Sequence, residues 1–201
     1  MRPGLAPLAS LLAALTLAAC EEEPRVAVGA TLDGEPIADL PVRLLPYDRD
    51  ALLDSLARAA GAPEPAIPPE LIQQLQGLAE AERAARQRGD TALARFRAER
   101  ASVFARADSL RAARRAWAEE AFARFDSLAA RRAEAAGRDE MADTTGAAGT
   151  AVFRAEPGRW WVHARYTLPY SELSWSFPVQ VSGDSTAVRL SRENATERPF
   201  L

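Results

Sequence analysis

Few residues in this chain could do chemistry by themselves. The sequence holds one cysteine, Cys20, and one histidine, His163. A second thiol is missing, so no disulfide framework can form within the chain. Metal or triad chemistry that needs several imidazoles is likewise excluded within one chain. His163 falls in an alternating strand-like run, where ordinary strand surface is its expected role. Carboxylates are plentiful, but Glu119-Glu120 with Arg124, and Asp108 with Arg111, have the spacing of surface ion pairs on a helix, worth a few tenths of a kcal/mol each. No spacing brings two carboxylates together in a cleft, and no glycine-rich loop is built to cradle phosphate. The expectation is therefore no catalytic residues, no metal, no cofactor and no enzyme activity.

The aromatic residues carry more. Trp160, Trp161, Tyr166, Tyr170, Trp175 and Phe177 are concentrated in one short region. Alternation puts Trp161 on one face with His163 and Arg165, and Trp160 on the other with Val162 and Ala164. An exposed set drawn from Trp161, His163, Tyr170 and Trp175 would make a platform for a carbohydrate or peptide ligand. Packing in a core or against a helix is the competing reading and the favoured one.

Strand signals flank a long helical stretch. Val26, Val28 and Ala30 alternate, Asp33-Gly34 signals a turn, and Pro41–Leu45 reads as a second strand. From Asp48 the spacing becomes helical, with Leu52, Leu53 and Leu56 on one face. Gly61 stops that helix, and the four prolines of residues 61–69 demand an extended connector. A second helix opens at Glu70 and ends near Gly89. The third is read as one continuous helix from Thr91 to about Ala136, about 70 Å long at 1.5 Å per residue.

Within the third helix Phe96, Val103, Leu110 and Trp117 recur every seventh residue, beside Leu93, Ala107, Ala121 and Leu128 on the companion position. Arg100 and Arg114 interrupt that companion row, so packing between antiparallel helices suits it better than a long parallel dimer. Alternation resumes at Ala151, and residues 176–181 and 186–191 flank a hairpin loop at Ser182-Gly183-Asp184-Ser185. Residues 193–201 read as a loose tail.

The N-terminus has the layout of an export signal: Arg2, an apolar run from Leu5 to Ala19, then Leu17-Ala18-Ala19-Cys20. That run is too short to span a bilayer as a helix. Leu17-Ala18-Ala19-Cys20 resembles the bacterial lipobox, which implies removal of residues 1–20 and a lipid on the Cys20 thiol, holding the chain on a membrane. The implied site is the cell envelope, and Glu21, in place of an aspartate after the cysteine, favours the outer membrane over the inner. Cleavage leaves 24 arginines against 28 acids and no lysine. Such mild acidity argues against nucleic acid as a partner.

Two β segments resemble the carboxypeptidase regulatory-like family of transthyretin-like sandwiches. One block is Gly29-Ala30-Thr31 through Asp33-Gly34 with Pro41-Val42-Arg43-Leu44-Leu45. The other is Thr145-Gly146-Ala147-Ala148-Gly149-Thr150-Ala151-Val152-Phe153 with Pro157-Gly158-Arg159-Trp160-Trp161-Val162-His163-Ala164. The resemblance implies an accessory, binding or spacing module with no active site of its own. Gly146 stands where the family usually carries Asp, and the helical stretch separates blocks that are normally adjacent. The fold class expected is α+β: a small antiparallel β-sandwich from residues 25–47 and 144–192, carrying a coiled-coil-like helical hairpin in residues 48–142. The function expected is a non-catalytic interaction or spacing module, with an envelope protein as partner of the hairpin. Ligand binding on the aromatic β face is the alternative.

Overall fold

The computed structural model describes residues 23–89 and 91–199, so the expected signal segment and Cys20 lie outside the described residues. The chain begins with β1 (Arg25–Leu32), where the predicted alternation is explained by burial of Val26, Val28 and Ala30. Asp33 and Gly34 turn it into β2 (Glu35–Pro36), a two-residue strand paired back at Thr31 and Leu32. β3 (Pro41–Leu45) follows, with Val42 and Leu44 facing inward.

Four helices then intervene before the sheet resumes. α1 (Arg49–Ala59) is capped by Asp48, whose carboxylate accepts the Ala51 N–H at 2.9 Å. α2 (Pro69–Arg88) starts on proline and ends at Gly89. α3 (Leu93–Ala121) and α4 (Phe125–Ala136) occupy the stretch read as one helix, and the break at Phe122–Arg124 corrects that reading. No glycine or proline causes it. Its origin is a change of partner: α3 packs on α2, whereas Phe125, Leu128 and Ala129 pack on Tyr47 and Leu52. One straight helix could not aim both apolar stripes at their partners.

The remaining strands are β4 (Met141–Thr144), β5 (Thr150–Arg154), β6 (Gly158–Thr167), β7 (Ser171–Val181), β8 (Ser185–Leu190) and β9 (Thr196–Pro199). β4 and β9 go beyond what the sequence pattern predicts, and β9, pairing with β7 over Ser171–Ser174, orders part of the tail expected to be loose. One sheet has β1 between β5 and β8; the other runs β4-β3-β6-β7-β9. Pairing is antiparallel except between β1 and β8, which run parallel from Arg25↔Ser185 to Ala30↔Leu190. The architecture is thus mixed α+β with two sheets enclosing one core in a sandwich-like arrangement. Val26, Val28, Phe153 and Leu190 from one sheet meet Val42, Trp160, Val162, Leu173 and Trp175 from the other.

Thr145 locks the corner between β4 and β5 onto the turn before β3. Its hydroxyl donates to the Ile37 carbonyl at 2.6 Å and accepts the Leu40 N–H at 2.9 Å, and the residue is 1% exposed. Among the described residues no helix is long and apolar enough to cross a membrane.

Candidate functional site

The outer face of the second sheet is roofed by α1 and α4. Register places Leu45, Trp161 and Pro178 in one outward row, and Arg43, His163 and Ser176 in the next. Leu45 faces outward yet is fully buried, because the helices lie over it. Beneath this roof the Arg49 guanidinium stacks on Phe125, 5.1 Å from the ring centroid, with Nη1 3.4 Å from His163 Nε2. Arg49 Nε is buried without a hydrogen-bond partner. Close by, the Tyr47 hydroxyl donates to Glu140 Oε1 and Arg43 Nη2 donates to Oε2, each at 2.5 Å. Burial first, then the Glu140 carboxylate, raise the Tyr47 phenol far above its usual range.

His163 corrects the expectation of a strand-surface histidine, since it is only 8% exposed. Burial, then the charges of Arg49, Arg165 and Arg43, push its imidazole down to about 3. The ring is therefore neutral at physiological pH. Because arginine stays protonated, Nε2 must be the acceptor toward Arg49 and the ring proton sits on Nδ1. A base titrating so low, with its lone pair turned to a guanidinium, is poorly suited to proton transfer near neutrality. Its role here is to pin the start of α1 to the sheet.

A pH dependence follows. The unfolded chain takes up the histidine proton near pH 6.5, while the folded chain resists until about 3. The stability contributed by the neutral ring is complete above the unfolded value and is lost as pH falls through that window. Urea midpoints measured from pH 7 to pH 3 should fall more steeply in the wild type than in His163→Gln, whose amide oxygen can still accept from Arg49. Parallel curves would show that the imidazole is not held neutral.

The four candidate binding residues do not form one site. Trp161 is half-buried on the outer face, with the Arg159 guanidinium 4.8 Å from its ring. It borders an open cleft of about 460 Å³ between the sheet, α1 and α4, shared with Tyr47, Leu52, Ser55 and Arg132. Trp175 is on the opposite face and 0% exposed, its indole N–H donating to Ser191 O at 2.9 Å and Asn194 Oδ1 at 3.0 Å. That removes it from any ligand platform: its neighbours across the pairing, Ala164 and then Val42, all face the core. Tyr170 is at the β6–β7 turn, packed against the cluster of Leu71, Leu75, Val103 and Ala107 between α2 and α3. Among the described residues no group of three or more His, Cys, Asp or Glu side chains could hold a metal ion.

Past Tyr170 the α2–α3 hairpin is held by its own contacts. Glu82, 7% exposed, accepts from Arg100 at 2.6 Å, from Arg86 at 3.0 Å and from Arg97 at 3.5 Å. The hydrogen bond from Arg100, followed by those of the other two arginines, holds the Glu82 carboxyl below the usual range. Nearer the sandwich, Arg114 pairs with Glu64, and the Trp117 indole donates to Ala62 O at 2.8 Å. Arg100 and Arg114, which interrupt the heptad row, thus serve as cross-links to the preceding segment. Sequence reasoning missed Arg49 and Glu82. The Glu82–Arg86 spacing was visible, but the cross-helix partners follow only from the register of the hairpin.

Compared with known family models, curated proteins and solved structures, the chain matches none.

Proposed function

We propose that the chain is a non-catalytic cell-envelope lipoprotein, anchored through Cys20 on the outer membrane, in which the helical hairpin is an interaction module carried on a carboxypeptidase regulatory-like sandwich. The observation that carries the reading is the placement of the hairpin. β1 enters at the end of the sandwich shared by Arg154, Gly158, Val181 and Ser185. The α2–α3 hairpin packs on Tyr170 at the opposite end. A chain held by its N-terminus would direct the hairpin away from the membrane. The overhang is short, because α4 lies back on the sheet: from Val103 to Leu93 is about 15 Å at helical rise, not the 70 Å of one straight helix. Presentation of a surface therefore suits the molecule better than long-distance spacing.

The Trp161 cleft supports a second reading, a binding site for a carbohydrate or peptide, since it combines a half-exposed indole with Ser55 and Arg132.

One experiment separates the two. Photoreactive residues at Ala98, exposed on the outer part of α3, and at Ser55, exposed beside Trp161, would be activated in the native envelope. Capture of a protein from Ala98 is the expected result. Capture only from Ser55, of glycan or peptide, would replace the first reading with the second, and capture from neither would overturn both. A diacylglyceryl mass on Cys20 in the purified protein checks the anchor independently.

A further inference from the structure

Charge is distributed unevenly in this molecule. Residues 82–100, the outer part of the α2–α3 hairpin, hold six arginines against three acids, in a chain whose formal net charge is −3. Three of those arginines converge on one carboxylate, Glu82. Three guanidiniums on one carboxylate leave a local excess of two positive charges, and the side chains of Arg86, Arg97 and Arg100 remain 65%, 57% and 36% exposed. Each guanidinium has five N–H donors, so most of these donors still face solvent.

The donors form a ridge along the side of the hairpin. Arg86 belongs to α2 and Arg97 and Arg100 to α3, and Glu82 cross-links the two helices. Held in this way, the ridge loses little side-chain freedom on binding, and its planar forks match carboxylates two bonds at a time. Half-buried Leu93 and Phe96 lie near it and offer apolar contact. An elongated anionic partner can lie along such a ridge, whereas a bilayer meeting the hairpin end-on would reach mainly the connecting turn.

We propose that the α2–α3 ridge docks an acidic segment of a partner protein, through carboxylates that complete the arginine cluster around Glu82. The proposal rests on the reading of the hairpin as an interaction module and gives that module its partner chemistry.

The test uses the full chain, a fluorescent hexaglutamate peptide and fluorescence anisotropy at low salt. Hexaglutamate is expected to bind despite the negative net charge of the protein, and to weaken several-fold between about 20 and 150 mM salt. Arg97→Gln with Arg100→Gln should weaken it about tenfold or more. Since that pair could disturb the hairpin, Arg83→Glu with Arg88→Glu, exposed positions with no bond to Glu82 here, should weaken it comparably. Glu82→Gln, which frees guanidinium donors, should tighten it. No binding, or binding unchanged in both arginine pairs, overturns the proposal, as does adsorption to vesicles of phosphatidylglycerol with no binding to hexaglutamate. Capture from Ala98 of a partner without an acidic segment would overturn it while leaving the hairpin's role intact.

Discussion

Trp175→Ala is expected to lower the unfolding free energy by about 3–5 kcal/mol, the usual cost of deleting a fully buried indole and leaving its cavity. The residue is 0% exposed and central to the core shared by the two sheets. Its N–H also ties β7 to the turn after β8, through Ser191 O and Asn194 Oδ1. Deletion would therefore open a cavity and untie β7 from that turn, whose acceptors keep only the N–H groups of Asn194 and Ser191. Against a typical total of about 5–15 kcal/mol, a loss of this size leaves a marginal fold. Urea denaturation followed by far-ultraviolet dichroism measures it. Trp161→Ala is the paired control: its ring is half-exposed on the outer face, and it should cost well under half as much. Equal costs would mean that the two tryptophans have been assigned to the wrong faces.

Thr145→Val should be nearly as damaging, at about 2–4 kcal/mol, for a different reason. Valine fills the same space but offers no hydroxyl, so the buried Leu40 N–H and Ile37 carbonyl each lose that partner. An orphaned buried group costs about 1–3 kcal/mol. Two such groups lie at one corner, where the strand after the helices is stitched to the turn before β3. Thr145→Ser restores the hydroxyl and should recover most of the loss. A serine variant no better than valine would show that the methyl group, not the hydrogen bonds, secures the corner. Nearby Gly149 is just as constrained: φ is +69° and a Cβ there would come within 2.5 Å of Ala30 O, which accounts for glycine at that position.

Local patterns were legible where neighbours along the chain decide the outcome. Alternation of Val26, Val28 and Ala30, and of Trp160, Val162 and Ala164, marks strands because successive side chains leave opposite faces. Pro69, Gly89 and Gly137 bound helices because of what they do to the backbone at one position. The helical character of the stretches on either side of the proline connector followed in the same way. The break at Phe122–Arg124 did not, since nothing local forbids a continuous helix there.

The candidate site was less legible. Trp161 and His163 were placed correctly on one face, but their burial depends on α1 and α4 folding back over the sheet, an event remote in sequence. Trp175 looked available because aromatic residues cluster there. Its face was set by the pairing Ala164↔Trp175, which no single-strand pattern specifies.

What the amino-acid order determined by itself is the kind of element at each point, because φ/ψ preference and hydrophobic period act over a few residues. Tertiary structure alone decided which residues meet: Arg49 with His163 across 114 positions, Glu82 with Arg100 across 18, and β1 with β8 in parallel. Those contacts depend on how two sheets and a helical roof exclude water together, and burial shared among distant segments leaves no mark on any one of them.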